Sequence, residues 1–158
     1  MHLVYSSFPD VGHWGAQDGV WARTISLGGS AYSNASARLT DGNAWAETRG
    51  TMIGYQGDGK FMTGKYSSEC PFVIQVDGWF YLFRTQRYTP GGGQTSVFAS
   101  KDPSNFGVGA TASRYLVATL PICAPEIVTI GGKYFVVALK EGLNGMRVAE
   151  LSFGSTLP

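Results

Sequence analysis

The chain has 158 residues, of which 44% are hydrophobic and 15% charged, and its formal charge is +1 with no basic run. That balance argues against disorder and leaves no electrostatic footprint for nucleic acid or an anionic membrane. Aromatics at 13% and 22 glycines suit many strands joined by tight turns, and no apolar run approaches the ~20 residues of a membrane helix.

In chain order, Met1-His2-Leu3-Val4-Tyr5-Ser6-Ser7-Phe8 reads as a strand already under way, not as the charged leader of a signal peptide. His13 and Trp14 fall in the loop that follows. An alternating segment at residues 33–38 then leads into Thr40-Asp41-Gly42-Asn43-Ala44-Trp45, with an apolar strand expected at 51–55. The same order recurs later, with a strand at 96–100, the stretch Lys101-Asp102-Pro103-Ser104-Asn105-Phe106, and a strand at 115–120. In each case the Asp is placed to start a turn by accepting from backbone amides further on, and the aromatic four residues later can cap the sheet below.

The strongest local signal is Phe72-Val73-Ile74-Gln75-Val76, Asp77-Gly78, Trp79-Phe80-Tyr81-Leu82-Phe83. Asp-Gly between two β-rich runs predicts a tight hairpin, because both turn residues tolerate positive φ. A second copy runs from Glu126 through Gly131-Gly132 to Val137 at a constant offset of 54, with Pro71 on Pro125, Gly78 on Gly132 and Phe80 on Tyr134. Hairpin, third strand, Asp turn with its aromatic, and fourth strand make one unit. Spacings in the fifties with four strands per unit predict propeller blades. The expectation is an all-β, partial β-propeller forming one domain over residues 1–158, with about three blades of antiparallel four-stranded sheets. They fall at 1–66 (lacking the innermost strand), 67–121 (complete) and 122–158 (lacking the fourth strand). A propeller closes on itself to remove its edges, so three blades require either missing N-terminal blades or self-association with a partner copy.

The two cysteines, Cys70 and Cys123, are too few for a disulfide framework and fit no zinc spacing. Both are expected to be buried thiols, with a single bridge between them left open. Gly57-Asp58-Gly59 and Gly91-Gly92-Gly93 lack the strand-to-helix setting and lysine of a phosphate loop, and no nucleophile elbow is present.

Ser67-Ser68-Glu69-Cys70-Pro71-Phe72-Val73, followed by the Asp77-Gly78 hairpin, resembles the third-blade motif of the five-bladed β-propeller glycoside hydrolases. These comprise the arabinanase and xylosidase group (family 43) and the invertase and levansucrase group (families 32 and 68). Phe83-Arg84-Thr85-Gln86-Arg87-Tyr88, the Ser100-Lys101-Asp102-Pro103 turn and Ala124-Pro125-Glu126-Ile127 extend the resemblance over about residues 67–151. It implies a carbohydrate substrate of arabinoside, xyloside or fructoside type, relatives that are secreted or periplasmic, no cofactor and no metal. It also implies that Glu69 is the general acid. Glycoside cleavage needs one protonated carboxyl by the leaving oxygen and an ionised one across the sugar, and the acid keeps its proton where burial or a neighbouring anion raises its pKa. In the resembling enzymes the second carboxylate lies in the first blade and a further Asp in the second blade's inner strand. Both positions would precede Met1, and no Asp-Pro-Asn or Arg-Asp-Pro motif occurs in the sequence.

Gln86 and Arg87 close the strand antiparallel to the one Glu69 opens, so they are expected at the same rim and able to donate to sugar hydroxyls. Arg84, mid-strand, is expected to pair internally. His13 and Trp14 are expected at the same rim, where the indole could stack on a sugar face. Glu126 falls by the offset on Phe72, while Cys123 takes the place of Glu69; a buried, paired structural Glu and a site contact both remain open. Alongside the hydrolase stands a second expectation, a non-catalytic carbohydrate-binding or truncated propeller module that lacks the nucleophile or base.

Overall fold

The β-branched and aromatic runs fold as strands, joined in chain order by turns and short connections. The computed structural model describes residues 2–7, 19–24, 39, 41, 46–54, 69–87, 93–107, 109–140 and 144–154. Among these, β1 (His2–Ser7), β2 (Gly19–Thr24) and β3 (Ala46–Gly54) form one sheet, and β4 (Glu69–Val76), β5 (Trp79–Arg87), β6 (Gln94–Ser100) and β7 (Leu116–Leu120) a second. A third holds β8 (Cys123–Ile130), β9 (Lys133–Leu139) and β10 (Met146–Leu151). Every pairing is antiparallel and joins strands consecutive in sequence, so each sheet is a meander. The protein is therefore all-β, and no sheet closes on itself among the described residues.

The repeat is written into the backbone. Phe72 faces Phe83 and Val76 faces Trp79 in the second sheet; their counterparts Glu126 and Val137, and Ile130 and Lys133, face each other in the third. Asp77 (φ 50) and Gly78 (φ 73) make the first hairpin turn, and Gly131 (φ 57) and Gly132 (φ 78) the second. Left-handed conformation at both turn residues matches the right-handed twist of the flanking strands. Each hairpin also begins with a register shift, between Glu69 and Phe72 and between Cys123 and Glu126. Within it the residue before proline is left-handed, Cys70 at φ 46 and Ala124 at φ 45. That conformation costs a non-glycine residue ~1–2 kcal/mol, and its recurrence at the same repeat position marks a built bulge, where a proline lacking its N–H is tolerated.

The middle sheet is covered on both faces. Leu82, Phe98, Phe106 and Ala112 pack with Val73, Phe80 and Val4 of β1 on one side. On the other, Tyr81, Phe83, Val97 and Ala99 pack with Ile127, Val136 and Ala138 of the third sheet. Burial on both faces explains why β5 opens as a continuous apolar run instead of alternating, and burying each phenylalanine contributes ~1.5–3 kcal/mol. The Asp102 turn holds one of these side chains in place. Asp102 Oδ1 accepts from Ser104 N (2.9 Å) and Ser104 Oγ (2.7 Å), and Phe106 drops into the first cluster. β1 lies beside β4, and β4 beside β8, so the first strands of the three sheets adjoin.

Two expectations change. β3, which includes residues 51–54, pairs directly with β2, so this segment is the third strand of its sheet and not the fourth. The likeness between residues 40–45 and 101–106 therefore does not carry over to the strand that follows; the segment at 33–38 lies outside the described residues. The first sheet also does not lack its first strand, since β1 takes the place beside β4 that β4 takes beside β8. Among the described residues the third sheet has three strands, with β10 at its edge where the second sheet continues to a fourth.

Candidate functional site

Glu69, half-buried, opens β4 opposite Thr85 near the end of β5. The bulge that follows sets it apart from the regular ladder. Behind this end of the sheet lies a run of buried polar side chains, Arg84, Thr85, Gln86, Thr95 and Ser96, each at most 1% exposed. Strand alternation sorts them onto two faces.

Arg84 stands opposite Ser96, with Gln86 two residues further along the same face. Arg84 Nη2 donates to Gln86 Oε1 at 2.6 Å, and Ser96 Oγ donates to the same oxygen at 2.6 Å. Arg84 also reaches Ser96 Oγ at 3.4 Å and lies over the Phe98 ring, 5.6 Å from its centroid. Removing a guanidinium from water costs several kcal/mol unless acceptors converge on it, and Gln86 Oε1 is one such acceptor. The amide nitrogen of Gln86 is buried with no hydrogen-bond partner among the described residues. The site therefore holds an orphaned donor at the same end of the sheet as Glu69.

The opposite face joins the second sheet to the third. Thr85 Oγ1 accepts from Ala124 N at 2.8 Å, and Thr95 Oγ1 donates to the Ile122 carbonyl at 2.8 Å. These bonds hold the left-handed Ala124 in its bulge. Gly93 lies so close to this junction that a Cβ would sit 2.7 Å from the Ile122 carbonyl carbon. Further toward the outer strands, a cavity of about 270 Å3 opens between the sheets, lined by Tyr81, Phe83, Val97, Leu120, Leu151 and Phe153. It is apolar and lies on the face away from the Arg84 network. Burial, and then the nearby Asp77, raise the pKa of the Tyr81 phenol that lines it.

Glu69 and Gln86 thus share one end of the β4–β5 hairpin. Arg87 ends β5 opposite Gln94 after a register shift, and its side chain lies outside the described residues. Gln86 is not open at a rim; it is 1% exposed and its carbonyl is engaged by Arg84 and Ser96. Glu126 is not buried. It is exposed, and it alternates with the buried Pro125 and Ile127, so it stands on the face of β8 turned away from the middle sheet. The bulge at Cys123–Glu126 sets that alternation. His13 and Trp14 lie outside the described residues. The cysteines form no bridge: Cys123 is buried, its thiol donating to the Leu139 carbonyl at 3.4 Å, but Cys70 is exposed because the bulge turns it outward. Ser96, Thr85 and Thr95 went unnoticed in the sequence, although a polar pair of strand ends meeting at one junction, Thr85-Gln86 and Thr95-Ser96, was the available signal. Neither a protein-family model nor a curated protein matches the sequence.

Proposed function

We propose that the three meanders are successive blades of a five-bladed β-propeller of the glycoside hydrolase type, with Glu69 as the general acid toward an arabinoside, xyloside or fructoside-like sugar. The observation that carries the reading is the placement of Glu69. It opens the first strand of a repeat unit, at a bulge, beside a buried donor network, in an assembly whose first strands adjoin as those around a propeller axis would. A half-buried carboxyl at such a strand start is partly enclosed and can still reach a bound ligand. Gln86 Nε2 is the donor available to a sugar hydroxyl once local opening admits one.

Hydrolysis needs a second carboxylate across the sugar, and the sequence lacks the motifs that would carry it. The 158-residue chain alone is therefore expected to bind sugar without turning over nitrophenyl arabinosides, xylosides or fructosides. Turnover abolished by Glu69→Gln would overturn the claim that the catalytic pair is incomplete. Turnover untouched by that substitution would remove Glu69 from the acid role. The second reading, a carbohydrate-binding module without chemistry, is favoured by the lack of those second-carboxylate motifs in the sequence. It predicts unchanged sugar affinity in Glu69→Gln, whereas the hydrolase reading predicts a severalfold loss.

A further inference from the structure

One face of the third sheet is largely apolar and exposed among the described residues. In β8, Glu126, Val128 and Ile130 alternate with the buried Pro125 and Ile127. The ladder sets Val128 beside Phe135, and Glu126 beside Val137. Val148 lies opposite Val137 and Met146 opposite Leu139. Ile130 is 64% exposed, Met146 62% and Val148 66%, with Val128 less so. These four are the exposed large hydrophobic side chains among the described residues, and all stand on this face. At its margin the Lys133–Glu150 ion pair (3.1 Å) is exposed. An apolar centre with a charged rim is the composition of a docking surface.

The repeat indicates what covers such a face. At the offset of 54, Val128, Ile130, Phe135 and Val137 are the counterparts of Ile74, Val76, Tyr81 and Phe83. In the second sheet Val76, Tyr81 and Phe83 are buried, and Ile74 packs against them, because the third sheet lies over that face. At the positions that form a sheet-to-sheet interface in one unit, the next has Val128 and Ile130 exposed and Phe135 and Val137 half-buried. The matching surface is a further sheet of this repeat, and the chain itself carries such sheets. A formal charge of +1 puts little long-range repulsion between copies.

We propose that the Val128–Phe135–Val148 face of the third sheet is a self-association surface, buried in solution by a sheet of a second copy of this chain. The inference rests on the repeat and on the exposed face, and is independent of any sugar chemistry at Glu69. By the repeat the contact joins this face to a different sheet face of the second copy, and made twice it closes a two-fold dimer. In it Val148 and Met146 become buried while Arg114, in the 3-10 turn between β6 and β7 and not on this face, stays exposed.

Light scattering coupled to size exclusion tests this on the whole chain. The 16.9 kDa chain is expected to elute at twice its mass, with the dimer dissociating on dilution. Val148→Asp is expected to give monomer at concentrations where the parent is dimeric, with unchanged circular dichroism, since the side chain is largely in water in the single copy. Met146→Asp is expected to do the same and stands in should the first variant fail to fold. Arg114→Glu is expected to remain dimeric. A parent chain that is monomeric at every concentration overturns the proposal, as do Val148→Asp and Met146→Asp proteins that dimerise like the parent.

Discussion

Replacing Gln86 with leucine measures the worth of one buried acceptor of Arg84. Gln86 Oε1 receives two hydrogen bonds, from Arg84 Nη2 and Ser96 Oγ, both at 2.6 Å, in a region at most 1% exposed. The bond from the cation is worth ~1.5–3 kcal/mol and the neutral one ~0.5–1.5, so the two bonds together lose ~2–4.5 kcal/mol, offset in part by removal of the unpartnered buried Nε2. Leucine nearly conserves volume, so no cavity contribution is expected to inflate that figure. Urea unfolding provides the measurement: the midpoint falls while the slope m stays constant. Arg84→Met and Gln86→Leu are expected to couple, because each removes one end of the same buried hydrogen bond. A Gln86→Leu protein within ~0.5 kcal/mol of the parent, the range of ordinary surface substitutions, would refute the reasoning. So would a double variant whose loss is the plain sum of the two singles.

Two further outcomes follow from the same structure. The Tyr81 phenol has its pKa raised on folding, by burial and then by Asp77. Its contribution is therefore complete below about pH 10, the ordinary tyrosine value, and is lost as pH rises through the folded value; thermal melts across the alkaline range should show a decline in the parent that is smaller in Tyr81→Phe. At Ala124, left-handed at φ 45, glycine removes the strain of a side chain at positive φ but adds unfolded-state entropy, so Ala124→Gly is expected to gain ~0.5–1 kcal/mol in urea unfolding; a loss would mean the bulge is held without strain.

Much of the strand architecture was legible because periodicity and turn chemistry are local. Asp77-Gly78 and Gly131-Gly132 set two hairpins, and the offset of 54 carried the register of one sheet onto the other down to the bulge before each proline. Packing was less legible. Whether β3 joins β2 or a segment before it depends on contacts distant in sequence, and the resemblance of two Asp turns pointed to the wrong position. The polar junction was hidden for a related reason: threonine, serine and glutamine near strand ends read as rim residues. Only the approach of β8 to β5 shows Thr85 bonding Ala124, and only the Arg84 guanidinium shows Gln86 turned inward. Glu126 illustrates the limit most plainly. Its setting in Ala124-Pro125-Glu126-Ile127 leaves a buried, paired Glu and a site contact both open, and a bulge that shifts the alternation by one position decides which face receives the carboxylate.

Glu69 is the proposed acid of a sugar site at the start of β4. The most direct test is an amide-resolved NMR titration of the chain with arabino- and xylo-oligosaccharides and fructosides, repeated on Glu69→Gln. That role predicts saturable shifts in one of these series, clustered at Glu69, Cys70, Thr85 and the Gln86 side-chain amide, with affinity reduced severalfold in the variant. Saturable shifts confined to other regions, or no saturable shift with any of the sugars, would contradict it.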